Sequence, residues 1–134
     1  MVSALVQMTV HETVSHAESL LPGSPAPEGQ PDARWQAIFD VSEFIDTNPD
    51  EVLAFALRWG SHANEDVRAA ISCCILEHLL ERHFLKIFPK VEETVRSDAL
   101  FAETFRLCFK LGQAGLPENA ARFERLRSEC DAVR

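Results

Sequence analysis

The sequence predicts an all-α fold on three observations. Apolar residues recur at helical spacing from Pro31 onward, no alternating strand pattern interrupts them, and candidate helix caps and stops separate the runs. With 134 residues, 46% hydrophobic and 25% charged, the chain has the size of one domain and the composition of a globular one.

Residues 1–21 predict an N-terminal helix from Ala4 to Leu21, with Leu5, Met8, Val14, Ala17, Leu20 and Leu21 at mixed three and four spacing. Residues 22–31, PGSPAPEGQP, hold four of the seven prolines and predict a linker, because that density forbids continuous helix. The helical domain follows over 32–134. Asp32 caps a helix with a stripe of Trp35, Ile38, Phe39, Val41, Phe44 and Ile45 that ends near Asn48. Pro49, Asp50 and Glu51 open the next, with Val52, Leu53, Ala56, Leu57 and Trp59 as its core and Gly60 as its stop.

Asn64 caps the longest helix, whose wide face of Val67, Ala70, Ile71, Cys74, Ile75, Leu79 and Leu80 implies neighbours on two sides. Phe84, Ile87, Phe88, Val91 and Val95 form another, with Pro89 as a first-turn residue or a kink. Ser97 or Asp98 caps a helix bearing Leu100, Phe101, Phe105, Cys108, Phe109 and Leu111, stopped by Gly112 or Gly115. The last helix, Glu118 to Val133, carries Ala121, Phe123, Leu126 and Cys130 among arginines and reads as a terminal cap.

Sliding the chain by about 34 residues pairs Leu53 with Ile87, Leu57 with Val91, Val67 with Phe101, Ile71 with Phe105 and Cys74 with Cys108. The opposite shift pairs Val67 with Ala33 and Ile71 with Ala37. Pro49-Asp50-Glu51-Val52, Trp59 and Asn64-Glu65-Asp66-Val67-Arg68-Ala69-Ala70 resemble a HEAT-type repeat, most specifically over 49–80. The resemblance implies a short armadillo-type α-solenoid of about three antiparallel helix hairpins, in which Asp66 and Arg68 tie neighbouring units, and a binding module. Trp59 with Asn64 and Val67-Arg68-Ala69-Ala70-Ile71 is also similar to a stretch of the HEAT-like alkylpurine DNA glycosylases, although Val67 stands where their second arginine falls. That similarity makes Trp59, Asp66 and Arg68 the alternative ligand contacts.

The formal charge is -8, and a phosphate-tracking surface needs a basic stripe, so nucleic acid is a disfavoured partner. Residues 1–31 contribute -3, residues 32–66 contribute -6 and the remainder +1. Asp40, Glu43, Asp46, Asp50 and Glu51 therefore predict an acidic ridge able to steer a basic protein partner, in the manner of an inhibitor or immunity protein. A third reading is a homodimer through the aromatic hairpins between Phe84 and Phe109.

No catalytic constellation stands out. Phosphate-loop, dinucleotide and hydrolase-elbow motifs are absent. His11 and His16, like His78 and His83, are five apart, which spreads them about 140° around a helix, so no metal and no cofactor is expected. Cys73, Cys74, Cys108 and Cys130 read as reduced, buried core residues. The apolar stretch Ala69 to Leu80 is cut by Ser72, Glu77 and His78, and Met1 to Met8 has no basic residue, so neither a membrane span nor an export signal is expected and the location expected is cytoplasmic.

Overall fold

A computed structural model describes residues 8–21, 23 and 26–132. The expected helix start at Ala4, the Leu5 position, part of the linker and the helix end at Val133 lie outside the described residues. The described residues are all-α, with no strand among them.

Helix α1, Val10–Leu20, starts at a capping box: the Glu12 amide donates to Thr9 Oγ1 at 3.1 Å and the Thr9 amide to Glu12 Oε1 at 2.8 Å. Helix α2, Ala33–Ser42, is capped by Asp32 as expected, but it unwinds into turns through Thr47 instead of running to Asn48. Its buried stripe is Ala37, Ile38 and Val41, continued by Ile45, and Phe39 lies off it at 52% exposure. Helix α3, Pro49–Trp59, buries Val52, Leu53, Ala56 and also Phe55, three positions after Val52, while Leu57 and Trp59 are half-buried. Gly60 ends it for want of space: a Cβ there would meet the Ala56 carbonyl at 2.6 Å and the Phe101 ring at 2.9 Å.

The longest rod is α4, Glu65–Ile71, a π turn, Ser72–Leu76, and α5, Glu77–Arg82. Its buried residues include two rows spaced by four, Val67, Ile71, Ile75 and Leu79 beside Arg68, Ser72, Leu76 and Leu80, with Ala70 and Glu77 also buried. A pure α-helix at 3.6 residues per turn rotates such a row by about 40° at each step. Mixing in one wider turn raises the mean towards four and keeps the two rows on one broad face.

Helix α6, Phe84–Ser97, contains Pro89 beyond its first turn, on the exposed side, so the Leu85 carbonyl that loses its donor faces solvent. Helix α7, Ala99–Arg106, is capped by the Asp98 carboxylate, which accepts from the Leu100 and Phe101 amides at 3.0 Å. It ends six residues before Gly112, and Phe109, expected in its stripe, is 72% exposed. A 3₁₀ turn, Gly112–Gly115, follows, and its Gln113 accepts from the Phe84 amide and donates to the Arg82 carbonyl, closing the corner between α5 and α6. Helix α8, Pro117–Ala132, buries Phe123, Leu126 and Cys130, whereas Ala121 is exposed.

Helix α1 packs on α2 and α3, and α3 packs on α4 and the π turn. In turn α2 contacts the α4 rod, α4 contacts α7, and α6 pairs with α7, with α8 laid across both. An aromatic spine joins the last three: Phe84 stacks on Phe88 at 4.6 Å, Phe88 meets Phe105 edge-on at 6.4 Å, and Phe105 meets Phe123 at 4.8 Å. Arg122 of α8 lies 4.9 Å over the Phe88 ring.

Removing a fully buried spine ring leaves a cavity, so Phe105→Ala is expected to cost about 3–5 kcal/mol. Phe39→Ala, at the surface, is expected to change stability by no more than about 0.5 kcal/mol. Urea unfolding of both variants checks this contrast.

Candidate functional site

The buried polar groups come first, because they decide which charges remain for a ligand. Arg34 is 4% exposed and Arg68 6%. The Arg34 guanidinium forks onto Asp32 at 2.9 and 3.2 Å and donates to Asp66 Oδ2 of α4 at 2.7 Å. Arg68, 34 positions on, donates to the His62 and Ala63 carbonyls at 2.9 Å and to Glu103 Oε1 of α7 at 3.0 Å. The same layer is tied by Thr104 Oγ1, which donates to the Gly60 carbonyl at 2.6 Å, and by Ser72 against Cys108 Sγ at 3.3 Å.

Asp66, Arg68 and Trp59 are all engaged inside the protein. Asp66 also accepts from Trp35 Nε1 at 3.1 Å, and Trp59 Nε1 donates to Glu18 Oε2 of α1 at 2.8 Å while its ring stacks on His62. Their polar atoms are thus taken up by neighbouring helices and turns of the same chain.

The five acids of the expected ridge are divided. Asp46 is paired with Arg82 and His83, both at 3.0 Å, and Asp50 faces Lys86 at 3.4 Å. Among the described residues the Asp40 carboxylate accepts from Gln36 alone, at 2.9 Å, and Glu43 and Glu51 have no ion pair. The bases that quench Asp46 and Asp50 come from α5 and α6, some 36 residues away in sequence, a pairing that local charge counts do not reveal.

Two of the grooves on the described surface bear on a ligand. One of about 560 Å³ lies among α6, α7 and α8, but its charges close on each other: Arg96 pairs with Glu129 and Arg106 with Asp131, both at 2.9 Å. The other, about 420 Å³, runs between the end of α2 and the π turn with α5, and it gathers Phe39, Glu43, Cys73, Cys74, His78 and Arg82. Here Phe39 is exposed and Glu43 is unpaired among the described residues, so this groove offers an apolar anchor beside a negative charge.

The cysteines are free and differ from the expected buried set. Cys108 and Cys130 are buried, Cys74 is half-buried and Cys73 is exposed. Burial pushes the Cys74 and Cys108 thiols up to about 12 and also raises Cys73 and Cys130, so none is poised as a nucleophilic thiolate. Of the aromatic residues in the Phe84 to Phe109 hairpins, Phe84, Phe88, Phe101 and Phe105 are fully buried and Phe109 is exposed, as are Leu85 and Leu107. Among the described residues no group of three or more His, Cys, Asp or Glu stands where it could hold a metal. No helix among them is long and apolar enough to cross a membrane.

Comparison with known protein families, with curated proteins and with solved structures finds no match.

The Arg34 fork holds the Asp32 carboxyl down at about 2, against 3.8 for a free one, with burial opposing. A depressed folded value means that the stabilisation is present above the unfolded value and is lost as pH falls through about 2. Asp32→Ala is expected to cost about 1 kcal/mol or more at neutral pH, through the lost cap alone. The gap between wild type and variant is expected to narrow on acidification from pH 3.8 towards pH 2, as read from thermal midpoints.

Proposed function

We propose that the chain is a non-catalytic protein-interaction module, built as a short HEAT-like stack of helix hairpins and acting in the cytoplasm. Its second helices, α2, the α4 rod and α7, form a layer held by Arg34 and Arg68, and the groove between α2 and the π turn receives a basic segment of a partner protein. The observation that carries this reading is exposed Phe39 of α2 and Glu43, just past its end, lining the same groove of about 420 Å³. An aromatic anchor with an acidic rim is the surface chemistry that recognises an apolar residue flanked by lysine or arginine. A masking protein that covers a basic partner is the specific form of this reading.

The test is capture on the immobilised chain from its source lysate at about 50 mM and then about 500 mM salt, a range that separates screened charge from apolar docking. A basic protein retained by the wild type and lost by the Phe39→Ala, Glu43→Lys double variant is the expected result. For the purified pair, Asp40→Asn with Glu43→Gln is expected to lower the association rate at low salt and flatten its salt dependence. Retention of one and the same set of proteins by wild type and double variant would contradict the proposal.

A further inference from the structure

Cys73 and Cys74 sit side by side in the π turn, and both line the 420 Å³ groove. Successive residues of a π turn are about 80° apart around the axis, closer than the about 100° of an α-helix. The two thiols do not suit a disulfide with each other, since consecutive Cα atoms stand about 3.8 Å apart and an unstrained bridge spans about 4.4–6.8 Å. The pair therefore persists as a dithiol with one exposed and one half-buried sulfur.

Two adjacent sulfur donors in a groove select for a soft element of low coordination number. Zinc needs four donors, and no group of three exists among the described residues. We infer that Cys73 and Cys74 form a binding site for a trivalent arsenical, arsenous acid or its monosubstituted oxide, which supplies its own third substituent. With an oxide R–As=O, two As–S bonds form, the As=O bond breaks, and the oxygen leaves as water with both thiol protons. Arsenic stays trivalent, so no oxidant or reductant takes part.

Burial raises both thiols, with Cys74 pushed up to about 12, so reagents that need a free thiolate react slowly. Phe39, on the opposite wall of the groove, offers its exposed ring to an aryl substituent. The site stands independently of the partner-binding proposal.

The probe is phenylarsine oxide added in one equivalent to the folded full chain near neutral pH, followed by intact-mass measurement. The expected product is a single adduct, heavier than the protein by the reagent less one water, reversed by a small dithiol and not by a monothiol. Cys73→Ser and Cys74→Ser are each expected to weaken binding on the order of 100-fold, because one-point attachment loses the effective concentration of the second sulfur. Cys130→Ser is expected to retain full binding. In the wild type, where no variant has to fold, the adduct is expected to be located by peptide mapping on the segment that holds Cys73 and Cys74. Absence of an adduct on the folded chain, its persistence in Cys73→Ser, or its location at Cys108 or Cys130 in place of the pair would overturn the assignment.

Discussion

Two buried arginines hold this fold together. Burying a guanidinium is costly unless its donors are met, and here carboxylates and backbone carbonyls from distant parts of the chain meet them. Arg34 gathers the cap of α2, the start of α4 and the Gly23 carbonyl in the linker. Arg68 gathers the turn between α3 and α4 and reaches Glu103 of α7. Arg34 thus ties α2 to α4 and Arg68 ties α4 to α7, and the apolar stripes pack between the helices so joined. The series stops at Ala102, which stands 34 residues after Arg68. Beyond it α8 is fastened by ion pairs, Arg96 to Glu129 and Arg106 to Asp131, and by Arg122 over the Phe88 ring.

This packing has a consequence at the surface. With Val67, Ile71, Ile75 and Leu79 kept on one face by the π turn, Cys73 is carried out to the groove beside α2, where Phe39 and Glu43 also emerge. The unwinding of α2 at Glu43 opens the same place, because a helix continuing to Asn48 would run on alongside the rod. Core geometry and candidate site are therefore one problem: the spacing that buries the isoleucines also presents the thiols and the aromatic anchor.

Most of the helices were legible because their signals are local. Asp32, Asn64 and Asp98 cap where a short polar side chain precedes an apolar run, and Pro49 opens α3 at a first-turn position. Arg34 and Arg68 share the 34-residue offset that aligns the cores, but their bonds to Asp66 and Glu103 come from the stacking of helices distant in sequence. Phe39 and Phe109 were misread because an apolar residue one step off a stripe looks the same in sequence as one on it. The π turn was missed although its four-residue spacing is visible, because a broad apolar face and a drifting one give the same composition. The pairing of Asp46 and Asp50 with bases of α5 and α6 depends on how the helices stack, which local charge does not contain.

The central claim is that Arg34 couples α2 to α4 through Asp66. A double-mutant cycle on Arg34→Met and Asp66→Asn, read by urea unfolding, tests it directly, because it separates the pair from the individual losses. The account predicts a coupling of about 1 kcal/mol or more, reflecting a charge-assisted bond to a buried guanidinium. Additivity within about 0.3–0.5 kcal/mol would show that the helices keep their register without the arginine tie, and would contradict it.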